Sequence, residues 1–315
     1  MPKAISVSGR AAPATAIDGW IARTLAADPP RARSLIVTVW GDALAPHGGT
    51  LWLRGLIGLM GALGVAERSV RTGIYRLAAD GWLRGAARGR ESRYRLTATG
   101  KRAFADAYRR IYFPHADDWT GQWQIVIAAP ESVSARERAA LRDTLAWHGF
   151  GALAPGVFAR PHGAHRDAIP LAPSTLARLT VVSAYDDTRV AGTPLATGAA
   201  NAFGLERVGV AYRTFLARYG RGIELFRDGR RPSDTRQCFV ARSLLIHAFR
   251  RVLLRDPLLP RALLPHDWPG TAAYALTRDF YRLVHRPADE HLAATLGADF
   301  GTVSGDFRRR FGGVD

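Results

Sequence analysis

Apolar residues recur periodically along this chain and never form one long run. Between residues 34 and 44, Leu35, Ile36, Val39, Trp40, Ala43 and Leu44 fall at helical spacing. Ser34 is the N-cap candidate, and Pro46 with the turn Gly48-Gly49 ends the pattern. Thr50-Leu51-Trp52-Leu53 is a short β-type run, and the spacing then predicts a helix over 54–63 built on Leu56, Ile57, Leu59, Met60 and Leu63. Gly55, Gly58 and Gly61 recur every three residues on it. They weaken helix propensity but let a neighbouring backbone come close, so a packing groove is expected there. After Gly64, Val70, Ile74, Leu77 and Ala78 mark one buried stripe of a helix over 66–79. Arg68, Arg71, Thr72 and Tyr75 share the opposite face, with Arg76 beside them. Gly81-Trp82-Leu83 closes this helix. Residues 83–96 then read as two short strands around Gly85 and Gly89, carrying Arg84, Arg88, Arg90, Arg93 and Arg95, with only Glu91 to offset them. From Thr97, Lys101, Phe104, Ala107, Tyr108 and Ile111 continue a helix to the break at Pro114.

Further on, 123–129 is a β run, 134–147 a helix with Leu141 and Leu145 apolar, and 157–159 and 179–184 are strand candidates. Strand, helix, strand, strand fits a small ferredoxin-like unit. Beyond Gly192 the pattern is helical over 205–219, 235–254 and 272–284, and Pro257, Pro260, Pro265 and Pro269 confine the last connection. Residues 1–30 alternate Ala, Pro, Ser and Gly with a short helix across 17–25, and read as an arm. The expected organisation is an α+β multidomain chain. It comprises an extension (1–30), a helix-turn-helix domain with its linker helix (31–114), a ferredoxin-like domain (115–192) and a helical domain for effector binding or dimerisation (193–315).

A length of 315 residues implies two or three domains, and 47% hydrophobic residues can fill several cores. Forty-four Lys and Arg against 27 Asp and Glu leave a net charge of +17, which points to a polyanion as partner. An Arg-rich composition also follows from a GC-rich genome, so local clustering has to decide. An exposed basic helix face alone is more often a solvated face. Two helices joined by a short turn and followed at once by a basic hairpin, however, compose a winged helix-turn-helix, with wing arginines placed for phosphate or minor-groove contact. The DNA-binding set is therefore Arg68, Arg71, Thr72, Tyr75, Arg76, Arg88, Arg90 and Arg93. No run approaches 18 apolar residues and the first thirty carry no secretory pattern, so a cytoplasmic protein without membrane contact is expected. The lone Cys238 supports neither an internal disulfide nor a Cys-rich zinc site.

A family resemblance lies in Ser34-Leu35-Ile36-Val37-Thr38-Val39-Trp40-Gly41-Asp42, Gly48-Gly49, Trp52-Leu53, Glu67-Arg68, Val70-Arg71-Thr72, Gly81-Trp82-Leu83, Tyr94-Arg95-Leu96-Thr97 and Arg110-Ile111-Tyr112. It continues through Gly149-Phe150-Gly151, Leu153-Ala154-Pro155-Gly156-Val157, Phe249-Arg250-Arg251, Asp256-Pro257 and Trp268-Pro269-Gly270. These resemble the PaaX family of repressors of phenylacetic acid degradation, over nearly the whole chain after residue 30. The resemblance implies a winged helix, a middle domain similar to a small CRISPR adaptation nuclease, and a helical carboxy-terminal domain. It also implies a homodimer on a palindromic double-stranded operator, released by an aryl-CoA thioester such as phenylacetyl-CoA. A relative serving another pathway would take a different acyl-CoA or a small acid. Arg90-Glu91 departs from the two arginines that the family tends to keep after the wing glycine, and the second helix is unusually rich in glycine.

The likeness of the middle domain to a nuclease raises a competing enzyme reading, which needs a carboxylate at the end of the first strand. That strand ends Ala128-Ala129-Pro130, with Glu131 just beyond, so no anchor for a metal is read there. His162 and His165, with Asp167 nearby, lie in a Pro- and Gly-containing stretch and read as solvated loop residues. Gly149, Gly151 and Ala154 match a dinucleotide fingerprint only formally, because they follow a helix where the motif needs a strand. No catalytic residue, metal site or cofactor is expected. For the effector, the helix over 235–254 mixes Phe239, Leu244, Leu245 and Phe249 with arginines, which marks Arg242, His247 and Arg250 as candidates to meet an acyl-CoA. A structural or RNA-binding protein using the same basic hairpin, and an acyl-CoA enzyme, are the other classes the pattern leaves open.

Overall fold

The computed structural model describes residues 15–89, 91–113, 119–129, 134–162, 169, 171–185, 195–228, 234–297, 300–301 and 305–314. In chain order its elements begin with α1 (Ala16–Ala27), α2 (Ala32–Val39), a π-helical turn (Trp40–Leu44), a 3-10 turn (Ala45–His47), β1 (Thr50–Trp52), α3 (Leu53–Ala62), α4 (Glu67–Ala79), β2 (Leu83–Arg88), β3 (Glu91–Leu96) and α5 (Ala98–Tyr112). There follow β4 (Gln122–Ile127), α6 (Ala135–Trp147), β5 (Gly151–Ala154), β6 (Val157–Pro161), α7 (Pro173–Leu176) and β7 (Thr180–Tyr185). The remainder is helical: α8 (Leu195–Ala202), α9 (Leu205–Asp228), α10 (Thr235–Leu253), α11 (Pro269–Leu296) and α12 (Gly305–Arg308), with short 3-10 turns at Arg261–Leu263 and Arg310–Gly312. The chain divides into two compact units, one drawn from 1–100, 218–245 and 279–304, the other from 101–217, 246–278 and 305–315. Among the described residues, no helix is long and apolar enough to cross a membrane.

In the first unit, Leu35, Ile36, Val39, Trp40, Ala43 and Leu44 are all buried, as their spacing requires. The helical turn widens to π at Trp40, which carries Asp42 into the interior as well. Gly48 and Gly49 both take positive φ, a reversal that side chains resist, and so turn the chain into β1. The groove expected on α3 is occupied: a Cβ at Gly55 would lie 2.8 Å from Leu296, and one at Gly58 would lie 3.4 Å from Thr295. On α4, a Cβ at Gly73 would stand 2.7 Å from Ile36, so α2 and α4 cross at close range there. Three antiparallel strands complete this part in the order β1-β3-β2. Thr97 caps α5 by accepting the Gly100 N–H at 3.0 Å and ties it back by donating to the Gly81 carbonyl at 2.6 Å.

The short amino-terminal helix differs from the expected arm. Thr15 and Asp18 form a capping box, and Trp20 is buried with its ring 5.8 Å from Tyr219, 6.3 Å from Phe226 and 5.9 Å from Phe280. Its Nε1 donates to the Arg218 carbonyl at 3.1 Å. A Cβ at Gly222 would come within 2.5 Å of the Trp20 ring. The helix expected to end at 219 instead continues to Asp228, through Gly222, which is the seat of Trp20. Similarly, α11 runs past Pro287 instead of stopping near 284, because Ala288 and Leu292 remain fully buried and hold its later turns.

In the second unit the sheet order is β5-β6-β4-β7, every pair antiparallel, which is the order of a ferredoxin-like fold. One face packs Val126 and Phe158 against Leu141 and Leu145 of α6. The other packs Trp123 and Ala159 against Leu205, Leu259 and Leu263. β5 had no counterpart in the sequence pattern: Gly151, Ala152 and Ala154 are small and leave Leu153 as its one large apolar residue, so no alternation shows, and Gly156 at φ +79° forms the turn into β6. At the end of β4, the Ala128 N–H donates to the Gly156 carbonyl at 2.8 Å. His162 donates its backbone N–H to Gln122 at 2.8 Å, whereas Glu131, His165 and Asp167 lie outside the described residues. Among the described residues, no group of three or more His, Cys, Asp or Glu side chains is placed to hold a metal ion.

Candidate nucleic-acid interface

The two faces of α4 divide cleanly. Val70, Gly73, Ile74 and Leu77 point inward, and burying each of the three larger side chains contributes about 1.5–3 kcal/mol. Arg68, Arg71, Thr72, Tyr75 and Arg76 are all exposed. Tyr75 is 74% exposed, an unusual place for a large ring, and among the described residues no ring contact offsets its apolar surface. Two of these side chains are engaged within the helix. The Thr72 hydroxyl donates to the Arg68 carbonyl at 2.9 Å, and Arg71 donates from Nε to Glu67 Oε1 at 2.8 Å. Arg68, Tyr75 and Arg76 make no side-chain hydrogen bond or ion pair among the described residues. α4 therefore presents a face of guanidinium and phenol groups turned to solvent.

The register of the following sheet puts its charges on one side. Thr50 faces Arg95 and Trp52 faces Arg93 across β1 and β3, while Arg84 faces Arg95, Ala86 faces Arg93 and Arg88 faces Glu91 across β2 and β3. Because facing residues share a side of the sheet, Arg84, Arg93 and Arg95 belong to one face, and Leu51, Leu83, Tyr94 and Leu96 to the other. Leu51, Leu83 and Leu96 are buried, and Arg84, Arg93 and Arg95 are exposed. Nothing is described for the Arg88 side chain, and Arg90 lies outside the described residues. The Arg93 guanidinium sits 5.7 Å over the Trp52 ring, a cation–π contact that fixes its direction. Arg84 and Arg95, directly opposed and with no anion beside them among the described residues, form a like-charge pair that destabilises the free protein. An anion laid on this face would reverse that sign. Glu91, which interrupts the positive run in the sequence, accepts from Arg54 Nη1 at 2.9 Å. Sequence reasoning did not single out Arg54 or Glu67. Their signal was an opposite charge four residues away for Glu67, and only the strand register for Arg54.

The three effector candidates separate. Arg242 is fully buried, and Nε donates to Asp42 Oδ2 at 2.7 Å while Nη2 donates to the Asp42 carbonyl at 3.2 Å. Nη1 donates to Asp289, the Tyr281 hydroxyl donates to Asp42 Oδ1 at 3.2 Å, and the Tyr281 ring lies 4.9 Å below the guanidinium. This corrects the reading of Arg242 as an acyl-CoA contact, because its donors are turned inward to carboxylates and it ties the π turn to α10 and α11. His247 and Arg250 fall in the other unit. His247 is buried, and burial pushes the Arg250 guanidinium down to about 10, Arg251 adding like-charge repulsion.

Family models match along the chain: PaaX-like protein over residues 31–100, PaaX protein central Cas2-like domain over 116–184, and PaaX-like protein C-terminal domain over 203–294. The chain is 31% identical over 304 residues to the Transcriptional repressor PaaX of Escherichia coli (strain K12), covering 95% of this chain and 96% of that protein. Among solved structures it is similar to the uncharacterized protein Rv0674 from Mycobacterium tuberculosis, at 27% identity and a TM-score of 0.48, covering 76% of this chain and 89% of that one. The chain belongs to the PaaX family, and its central domain is Cas2-like.

Proposed function

We propose that this protein is a DNA-binding transcriptional repressor in which α2, α3 and α4 with the β1–β3 sheet form a winged helix-turn-helix. The observation that carries this reading is the exposed basic face of α4 followed by a hairpin that presents Arg84, Arg93 and Arg95 on one side. α4 enters the major groove with Arg68, Arg71, Thr72, Tyr75 and Arg76 nearest bases or phosphates, and Arg88, Arg90 and Arg93 grip the backbone. The repressor named in Escherichia coli supports the regulatory role. A homodimer in the cytoplasm sets two half-sites of a palindrome one helical turn, about 34 Å, or a multiple apart.

The finer reading follows the family resemblance. The regulated genes are those of a phenylacetate-type aromatic acid pathway, and an aryl-CoA thioester such as phenylacetyl-CoA releases the operator. That inducer must bind the DNA-free conformation better, since equal affinity for two states shifts nothing. His247 and Arg250 are proposed as its contacts. A gel shift on the DNA upstream of the gene for this protein, repeated with free acids and their CoA thioesters, tests operator and inducer together. A shifted band dissolved by one thioester and not by its free acid is expected. No shift on that DNA at low salt, or equal binding of RNA of the same sequence, overturns the reading.

A further inference from the structure

We propose that Glu67 and Arg71 act as one recognition unit that reads a single G·C pair, Arg71 on guanine and Glu67 on cytosine. The proposal rests on the reading of α4 as the helix in the major groove. Glu67 opens α4 and Arg71 lies one turn on, and both are more than half exposed, on the face that carries Arg68 and Tyr75. Arg71 Nε and Nη2 both reach the same oxygen, Glu67 Oε1, at 2.8 and 2.7 Å. Glu67 Oε2 makes no bond among the described residues, so an acceptor oxygen and the remaining guanidinium N–H groups are presented side by side.

The major-groove edge of a G·C pair offers, in a row, the acceptors N7 and O6 of guanine and the N4 donor of cytosine. A guanidinium beside a carboxylate is the complement of that row. It meets T·A and A·T poorly, because the donor there stands between two acceptors or gives way to a methyl group. The unit also explains how a carboxylate can stand on a face turned to phosphates. Glu67 is repelled by the DNA backbone wherever it accepts no hydrogen bond, and on this edge it accepts one from cytosine N4. Glu67 therefore lowers non-specific binding and raises discrimination, whereas a second arginine in its place would raise non-specific binding and meet the cytosine N4 donor with another donor.

Equilibrium binding to duplexes differing at one base pair per half-site, with wild type, Glu67→Ala, Glu67→Gln and Arg71→Ala, tests this. Wild type favours one G·C pair in one orientation, and N4-methylation of its cytosine, which keeps pairing but removes the groove-facing hydrogen, weakens binding about tenfold. Glu67→Ala binds methylated and unmethylated duplexes alike and binds random DNA more tightly. Glu67→Gln, whose amide oxygen still accepts, stays sensitive to methylation. Arg71→Ala loses the preference for guanine. Indifference of wild type to N4-methylation, or an equal penalty in Glu67→Ala, overturns the inference while leaving DNA binding intact. A wild type that selects no sequence at all overturns the reading beneath it.

Discussion

Arg242 and Asp42 stand 200 residues apart in the chain and 2.7 Å apart in the fold, both withdrawn from solvent. Removing one member leaves the other charge buried without its main partner, which costs about 3–5 kcal/mol. Asp42→Asn or Arg242→Met is therefore expected to lower the urea midpoint strongly. The double variant, Asp42→Asn with Arg242→Met, loses less than the two single changes predict together. Additive losses would contradict a coupled pair.

The wing arginines are expected to act through charge. Arg93→Ala weakens operator and random duplex by the same factor and reduces the slope of log affinity against log salt by about 0.9, one phosphate contact. Titrations at four salt concentrations measure it. A loss confined to the operator would move Arg93 from the phosphates to the bases.

Gly100→Ala reverses a usual sign. Within a helix, alanine in place of glycine commonly stabilises by about 0.5–1 kcal/mol. At this position a Cβ would stand 2.3 Å from the Trp82 carbonyl oxygen, a backbone atom that Thr97 also helps to hold. Overpacking of about 1–3 kcal/mol is expected instead, and an unchanged or higher unfolding midpoint would show that the α5 entrance yields.

Stability is expected to fall in mild acid. Burial holds His285 and His291 below the ordinary value of 6.5, and neighbouring arginines, Arg242 and Arg236 respectively, reinforce it. The unfolded chain thus binds more protons than the folded one. Their contribution is complete above about 6.5 and is lost as pH falls through the folded values. Asp18 and Glu137, both lowered by hydrogen bonds, from Gln237 and Arg178 respectively, add a separate loss only below the ordinary carboxylate range. Urea midpoints between pH 7.5 and 5.5 should decline, and His285→Gln should flatten the decline. A midpoint constant over that window would place these rings in water.

What could be read from the sequence was local. The stripe of Val70, Ile74 and Leu77 and the opposite exposure of Arg68, Arg71 and Tyr75 are set by one helical period, so spacing alone separates them. The glycines of α3 advertised a close approach without naming its partner. Which side of the sheet Arg84 and Arg95 occupy depends on pairing between β1, β2 and β3, and a shift of one residue would move every side chain to the other face. Arg242 was misread for a related reason. An arginine on a mixed helix looks the same whether it meets solvent or a carboxylate brought from residue 42. Trp20 was lost in an Ala- and Pro-rich stretch because its core is built by residues two hundred positions later.

The occupied groove on α3 bears on how this architecture can be cut and rejoined. Gly55 and Gly58 leave room that Leu296 and Thr295 fill, and His47 stacks at 3.8 Å on Phe300 while its Nδ1 meets the Gly301 carbonyl at 2.7 Å. Residues 31–100 are consequently a poor transplant by themselves. A chimera that exchanges them between relatives should fold only when the stretch around 290–301 travels with them, so the portable cassette is discontinuous in sequence and takes its last piece from near the far end of the chain.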